Sequence, residues 1–251
     1  MSVTIATWNV NGIRAREAQF LEWVGRDRPD IICLQEIKAS PSQLSETLCG
    51  LEGYSCYWHG AGGYSGVSLN VRDGLSPEPP RYSHPAFDHE TRIVTAEIGD
   101  LVVASVYVPN GGKDFAAKMR FLESLREYAA AMRAEGRRLV ICGDLNVART
   151  DQDLHPKERK PGLIGQRPEE RELFEAILAE DLVDVGRHLD PDNDGLFTWW
   201  APWRNMRQRN IGWRIDYILA SRPVAERATA SRVLADVGTS DHAPVVATFD
   251  L

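Results

Sequence analysis

Five places in the chain put acids, amides or a histidine where an apolar run ends. They are Trp8-Asn9-Val10-Asn11-Gly12, Gln35-Glu36, Gly143-Asp144-Leu145-Asn146, Arg214-Ile215-Asp216-Tyr217 and Ser240-Asp241-His242. Side chains alternate along an extended segment, so Asn9 and Asn11 can share a face, as can Asp144 and Asn146. If the run ends converge, they form an oxygen-rich cluster that repels itself unless a hard cation sits in it. Carboxylates, amide oxygens and water are the ligands that Mg²⁺ accepts, and the set offers no thiolate and one imidazole to favour zinc. Asp241-His242, taken with Asp216, adds a second chemistry: a carboxylate that fixes a histidine tautomer and stabilises imidazolium beside a reacting phosphate. Any one of these residues alone would more often cap a helix or make a turn; the set of five points to a site. The other histidines, 59, 84, 89, 155 and 188, sit among polar or Pro/Gly neighbours and read as surface residues.

Positioning such a set requires strands. Val3–Val10, Ile31–Gln35, Val67–Val71, Ile93–Ile98, Leu101–Val108, Leu139–Cys142, Ile215–Leu219 and Val245–Phe249 are apolar and rich in β-branched residues, which predicts strands. Arg16–Arg26, Asp114–Glu135 and Arg167–Glu180 carry apolar residues at helical spacing. The last opens with Pro168 and two glutamates, as a helix N-terminus prefers. Arg149–Gln166 is polar, with two prolines and two glycines, and reads as a long surface loop. With no linker, low-complexity tract or clear repeat, residues 1–251 read as one mixed α/β domain.

At 251 residues, 43% hydrophobic and 26% charged, the chain can bury a large core. No apolar run approaches the roughly 18 to 20 residues that span a bilayer, and Ser2 to Trp8 shows no basic stretch followed by an apolar one, so the expectation is neither a membrane protein nor an obviously secreted one. The four cysteines form no CxxC pair, and Cys33 and Cys142 lie within apolar runs, which predicts a reduced, cytoplasmic setting. A net charge of −7 argues against binding nucleic acid by charge alone. Of the 29 basic residues only five are lysines, which favours the guanidinium fork for any phosphate contact.

The five blocks, with Trp8 to Ala15, Tyr107-Val108-Pro109-Asn110-Gly111 and Gly212 to Tyr217 read in full, resemble the signature blocks of the exonuclease III family of apurinic/apyrimidinic endonucleases. They occur in the family's order from residue 4 to about 249. The resemblance implies a DNase I-like four-layer α/β sandwich, two packed mixed β-sheets flanked by helices. It also implies a Mg²⁺-dependent repair phosphodiesterase, with Mn²⁺ as a substitute, that cleaves duplex DNA 5′ to abasic sites and processes blocked 3′ ends as exonuclease and phosphatase. Carried over by position, Glu36 is the principal metal ligand, with Asn9, Asn11 and Asp241 near it and Asn146 also in the metal set. Asp144 is either the general base or a metal ligand. Asn146 stabilises the phosphorane, Tyr107 bonds the scissile phosphate, and His242, held by Asp216, does likewise. Asn11 stands where many relatives carry Asp, which leaves one negative charge fewer for a second metal ion. Asn11 and Asn110 are expected on the substrate side, and the protein is expected to act as a monomer.

Phe197–Trp213 contains four of the seven tryptophans and the arginines Arg204, Arg207 and Arg209. A core strand over Phe197–Trp200 would explain half of those aromatics. Interleaved with arginine, the segment suits a duplex DNA surface, and by the same resemblance Trp199 and Trp213 line a pocket for a flipped abasic sugar. A phosphoesterase for inositol phosphates or sphingomyelin would share the acidic set but lack this segment. A damage-binding module without catalysis would tolerate decay of the acidic set, every member of which is present.

Overall fold

The computed structural model describes all 251 residues. In the first sheet, β1 (Ser2–Asn9) and β2 (Ile31–Gln35) run parallel, connected by α1 (Ile13–Asp27). Beyond β2 lie β4 (Val67–Arg72) and then β3 (Tyr54–His59), which follows the short α2 (Glu46–Cys49); beyond β1 lie β12 (Val245–Asp250) and β11 (Ala228–Val233). The second sheet follows the same plan. Its parallel pair is β7 (Leu101–Tyr107) and β8 (Arg138–Asp144), connected by α3 (Phe115–Ala134). β6 (Ile93–Ile98) and β5 (Arg81–Ser83) extend it past β7, and β10 (Asp216–Ser221) and β9 (Leu182–Asp184) past β8. α4 (Pro168–Leu178), α5 (Val185–Leu189) and α6 (Arg222–Ala225) complete the chain. The sequence carries no clear repeat, yet both sheets share one pairing order.

Alternation along the central strands explains the layers. Val3, Ile5, Ile31, Cys33, Val103, Val140, Cys142 and Ile218 face inward and form the core between the sheets. Their neighbours Ala6, Trp8, Ile32 and Leu34 pack outward against Phe20, Trp23 and Val24 of α1. Val102, Ala104 and Ile141 pack outward against Phe121, Leu122 and Leu125 of α3. Because both faces are covered, these strands read as unbroken apolar runs. The result is a four-layer α/β sandwich.

The predicted strands are all present, two of them with the same bounds and the others with ends shifted by at most two residues. Three predictions are corrected. Phe197–Trp200 is not a strand; its residues are mostly buried, and Trp199 makes isolated bridges to Trp213 and His242. Arg149–Gln166 is not only a surface loop, because Asp153, Leu154 and Gln166 are buried in it. His59 and His84 stack at 3.9 Å, and the His59 Nε2 lies 2.5 Å from Asp88 Oδ2, so these two histidines form a structured pair. Cys33 and Cys142 are buried free thiols, as their runs suggested.

Candidate active site

The inward rows of the two sheets change character at one end. Along β1 the row reads Val3, Ile5, Thr7, Asn9; along β7, β8 and β10 the terminal inward residues are Tyr107, Asp144 and Asp216. Tyr107 pairs in register with Asp144, and Asp144 with Asp216. The site is therefore the mouth of the inter-sheet core. Beneath it Thr7 donates to Gln35, and Gln35 donates to Ser105 of the opposite sheet, which fixes the spacing between the sheets with buried polar contacts.

Glu36 follows β2 in a left-handed conformation, φ 49°, as do Asn11 (φ 46°), Lys38 (φ 50°) and Asn146 (φ 53°). Such conformations cost about 1 to 3 kcal/mol each in non-glycine residues and persist where surrounding structure over-determines them. Asn9 Nδ2 donates to both Glu36 Oε1 and Asp144 Oδ2 at 2.9 Å, bridging the two sheets. Its Oδ1 accepts the Asn11 amide N–H at 3.0 Å, so the oxygen is engaged. Beside the expected role of its oxygen at a metal, Asn9 thus acts as a donor between two carboxylates, and one lone pair of Oδ1 is left for a ligand. Asn11 likewise braces the site rather than facing outward, with Nδ2 on Asp241 Oδ1 and Oδ1 accepting from Lys38 Nζ at 2.6 Å.

The His242 Nδ1 lies 2.9 Å from Asp216 Oδ2, and Asp216 also accepts from Thr198 Oγ1. That fixes the tautomer and turns Nε2 toward Asp144 Oδ2, 3.9 Å away. Burial acts to lower the His242 pKa, but Asp216, Asp144 and Asp241 raise it to about 10, so the ring is cationic at neutral pH. Burial also lifts Asp144, and with repulsion from Asp216 and Glu36 working against the His242 charge it reaches about 7. Glu36 and Asp241 stay below their ordinary range. Burial opposes this, but Asn9 and Lys38 hold Glu36 ionised, and His242, Asn11 and Trp199 do the same for Asp241. Burial and the facing carboxylates of Glu36 and Asp144 raise Tyr107 far above its usual value, so it is a neutral hydroxyl donor.

The carboxylate oxygens of Glu36 and Asp144 lie within 4.8 Å of each other and of the His242 ring, which is protonated and so a donor beside the pair rather than a ligand. The donor set fits a hard divalent cation, and the raised Asp144 pKa marks the excess negative charge that such an ion would relieve. Asn146 hangs beside this group: Nδ2 donates to Val108 O and Asp144 Oδ2, and its N–H to Asp144 Oδ1.

Trp199 and Trp213 meet edge to face at 5.7 Å beside His242, with Ala148, Leu154 and Ile215 behind them. Trp199 is half-buried and its Nε1 holds Asp241 Oδ2, whereas Trp213 is 9% exposed, so much of that indole is core. Gly165 lies under Trp213, where a Cβ would come within 2.9 Å of the ring. The three loop arginines separate. Arg204 and Arg209 are exposed. Arg207, expected to contact phosphate, instead donates to the backbone carbonyls of Ala235, Val237 and Ser240 and stacks on Trp200, which anchors the segment leading to Asp241.

From Glu36 and Tyr107 a cleft of about 770 Å³ runs past Asn110, Arg92, Lys113 and Arg120. Its rim carries Tyr64, 52% exposed, and Trp203 stands 60% exposed at the tip of the 201–210 loop. Lys38, Arg92, Tyr64 and Thr198 escaped the sequence reading. Lys38 alone left a signal, a cation two residues beyond Glu36. The others act through partners distant in sequence.

The sequence pattern of the Endonuclease/Exonuclease/phosphatase family matches residues 6–242. The chain is 35% identical to the exodeoxyribonuclease of Bacillus subtilis (strain 168) over 96% of its own length and 97% of the relative's. Against the DNA repair nuclease APEX1 of Danio rerio it is 35% identical, covering 97% of this chain and 81% of that one. It is 34% identical to Recombination repair protein 1 of Drosophila melanogaster across its whole length, which spans 37% of that protein. Among solved structures, the 3′-5′ exonuclease NExo from Neisseria meningitidis superposes with a TM-score of 0.91 at 31% identity, over 99% of this chain and all of that one. NExo, described as a 3′ phosphatase, is also known bound to a product DNA hairpin, with a TM-score of 0.90 at 30% identity and the same coverage. An AP endonuclease from Archaeoglobus fulgidus matches with a TM-score of 0.84 at 30% identity, over 99% of this chain and all of that one.

Proposed function

The chain belongs to the endonuclease/exonuclease/phosphatase family, and from that premise we propose that it cleaves duplex DNA 5′ to abasic sites, leaving a 3′-hydroxyl, and trims blocked 3′ ends at the same site. It is a hydrolase of the DNA-repair nuclease type. One observation carries the reading: Asp144, the His242–Asp216 pair and Glu36 converge from both sheets beside the Trp199–Trp213 pair.

Glu36, Asp144 and Asp241 would hold the cation, which we take to be Mg²⁺ with Mn²⁺ able to replace it. When bound, it neutralises charge on the phosphate and lowers the pKa of water. The protein's own groups account for the rest. Protonated His242 and the Tyr107 hydroxyl donate to non-bridging oxygens as negative charge develops on them, fixed in place before reaction begins. Asp144, turned toward His242 at the mouth of the inter-sheet core, accepts the proton of the attacking water. Asn146, held by Val108 and Asp144, keeps its amide beside the phosphorane.

The Trp199–Trp213 wall accepts an abasic sugar, where a flipped normal nucleotide would lose its stacking without compensation. The cleft that runs past Asn110, Lys113 and Arg120 receives the strand backbone; Arg92 and Arg120 there are paired with Glu90 and Asp114, so Lys113 and the exposed Arg204 and Arg209 are the cations left to meet phosphates. The test is a nicking assay on duplex DNA with a single tetrahydrofuran abasic analogue. Cleavage on its 5′ side with Mg²⁺ and none in EDTA is expected; full activity in EDTA would remove the cation from the scheme. Tyr107, Asp144, Asn146, His242 and the two tryptophans all come from one chain, and a monomer is the proposed state.

A further inference from the structure

Lys118, in the second turn of α3, has no solvent exposure, and neither has its partner Glu170 in the first turn of α4. Two helices could be joined more cheaply by apolar side chains, since burying a charge pair costs several kcal/mol per ion in desolvation. What distinguishes this pair is where its remaining hydrogen bonds go. Lys118 Nζ donates to the backbone carbonyl of Asn146 at 2.7 Å. Both Glu170 carboxylate oxygens accept from the Gly165 N–H, at 2.7 and 3.0 Å. Gly165 in turn accepts from the Ala148 N–H and supports the Trp213 ring from below. On the other flank Gly111, φ +87°, packs so closely that a Cβ would sit 2.9 Å from Lys118 Cδ, which fixes the loop that follows Tyr107.

One buried pair thus packs against the loop that follows Tyr107 and bonds the backbones that carry Asn146 and the support of Trp213, with neither of its own side chains exposed. The bond to Asn146 falls on the carbonyl of a left-handed residue, a conformation needing outside constraint. We propose that Lys118, paired with Glu170, is a positioning residue for the phosphodiesterase reaction: it sets the Asn146 backbone and ties it to the abasic-site wall. This rests on the reading of Asn146 as a group that meets the phosphorane.

Removing both charges together separates positioning from stability. Lys118→Met/Glu170→Gln keeps an acceptor for Gly165 and leaves no unpaired charge. It should melt within a few degrees of the unmodified protein. In single turnover on the abasic duplex its kcat should fall by about tenfold or more while KM changes by less than about threefold. Amide exchange should quicken in residues 144–148 and 162–167 and stay unchanged in β1 and β12. Lys118→Arg, which keeps the charge and can reach the carbonyl, should recover most of kcat. In an Asn146→Ala background the paired substitution should add little further loss, because the pair acts through Asn146. Undiminished kcat with unchanged loop exchange would overturn the proposal, as would losses that multiply in the Asn146→Ala background. Should the neutral pair fail to fold, Glu170→Asp, which draws the carboxylate back by one methylene and keeps the charge, decides by the same kcat and exchange readings. If the unmodified protein does not nick the abasic duplex at all, the functional reading fails, and the exchange measurement still decides whether the pair holds these loops.

Discussion

At the level of single residues, the site works by opposing the ionisation of neighbours. Asp216 and Asp144 both favour a cationic His242, and the cationic ring in turn opposes the burial that lifts Asp144. If Asp216 acts only through His242, then Asp216→Ala and His242→Ala should each lower the single-turnover rate steeply, by about a hundredfold or more, and the double variant should be little worse than either. Multiplying losses would show two independent roles. In protein held in EDTA, the His242 imidazole should remain protonated up to about pH 10, and Asp216→Asn should bring its titration down toward the ordinary histidine range, which proton NMR of the ring reads directly. Much of this was legible beforehand, because Asp144, Asp216, Glu36, Asp241 and His242 stand at the ends of recognisable apolar runs. The direction of an amide was not. Asn9, read as an oxygen ligand, also serves as an N–H donor turned that way by the Asn11 amide, a contact that only three-dimensional hydrogen-bond accounting exposes.

Among the elements, the 201–210 loop divides its arginines by what each guanidinium already holds. Arg204→Ala and Arg209→Ala should weaken duplex binding and reduce the salt slope by about one unit apiece, with cleavage at saturation nearly intact; binding isotherms at several salt concentrations measure this. Arg207→Ala should instead lower the melting temperature and kcat together, because it frees the 235–240 segment from which Asp241 and His242 project. A salt slope lowered by Arg207→Ala as much as by the other two would contradict that division. The sequence distinguished elements by burial. Central strands covered on both faces appeared as apolar runs, while β3, β5 and β11 lie at sheet edges with mixed, partly exposed residues, and β9 is only three residues long, so none of the four left such a run. The Phe197–Trp200 segment shows the converse error, since apolar residues there fill a corner without joining a ladder.

For the molecule as a whole, the buried charges of the second sheet link its stability to pH. Arg214 makes paired bonds to Asp184 and one to Asp153, which also receives Arg187. Burial acts to raise the Asp153 pKa, but the two arginines win and hold it below its ordinary value. A carboxylate depressed in the folded state contributes stability that is full above its unfolded pKa of about 3.9 and is lost as pH falls through the folded pKa. Asp153→Asn should therefore cost about 3 to 5 kcal/mol near neutrality and flatten the acid side of a plot of melting temperature against pH from about 4 downward. An unchanged acid limb would exclude Asp153 from that dependence. The arrangement of the first sheet has a different bearing. Its central strand β1 lies near one end of these 251 residues, yet Ser2–Thr7 of β1 pair with Val245–Asp250 of β12 near the other, and His242 lies just before β12. During translation the interior edge of β1 must wait for a partner more than two hundred residues away, a long-range closure that ranks among the slower steps of folding. A nascent chain on the ribosome therefore has Asn9, Glu36 and Asp144 before it has the histidine that completes the site, so it holds no nuclease activity until residues 240–250 have emerged and paired. Ribosome-stalled chains ending before residue 240 should leave an abasic duplex uncut, and chains released at full length should cut it.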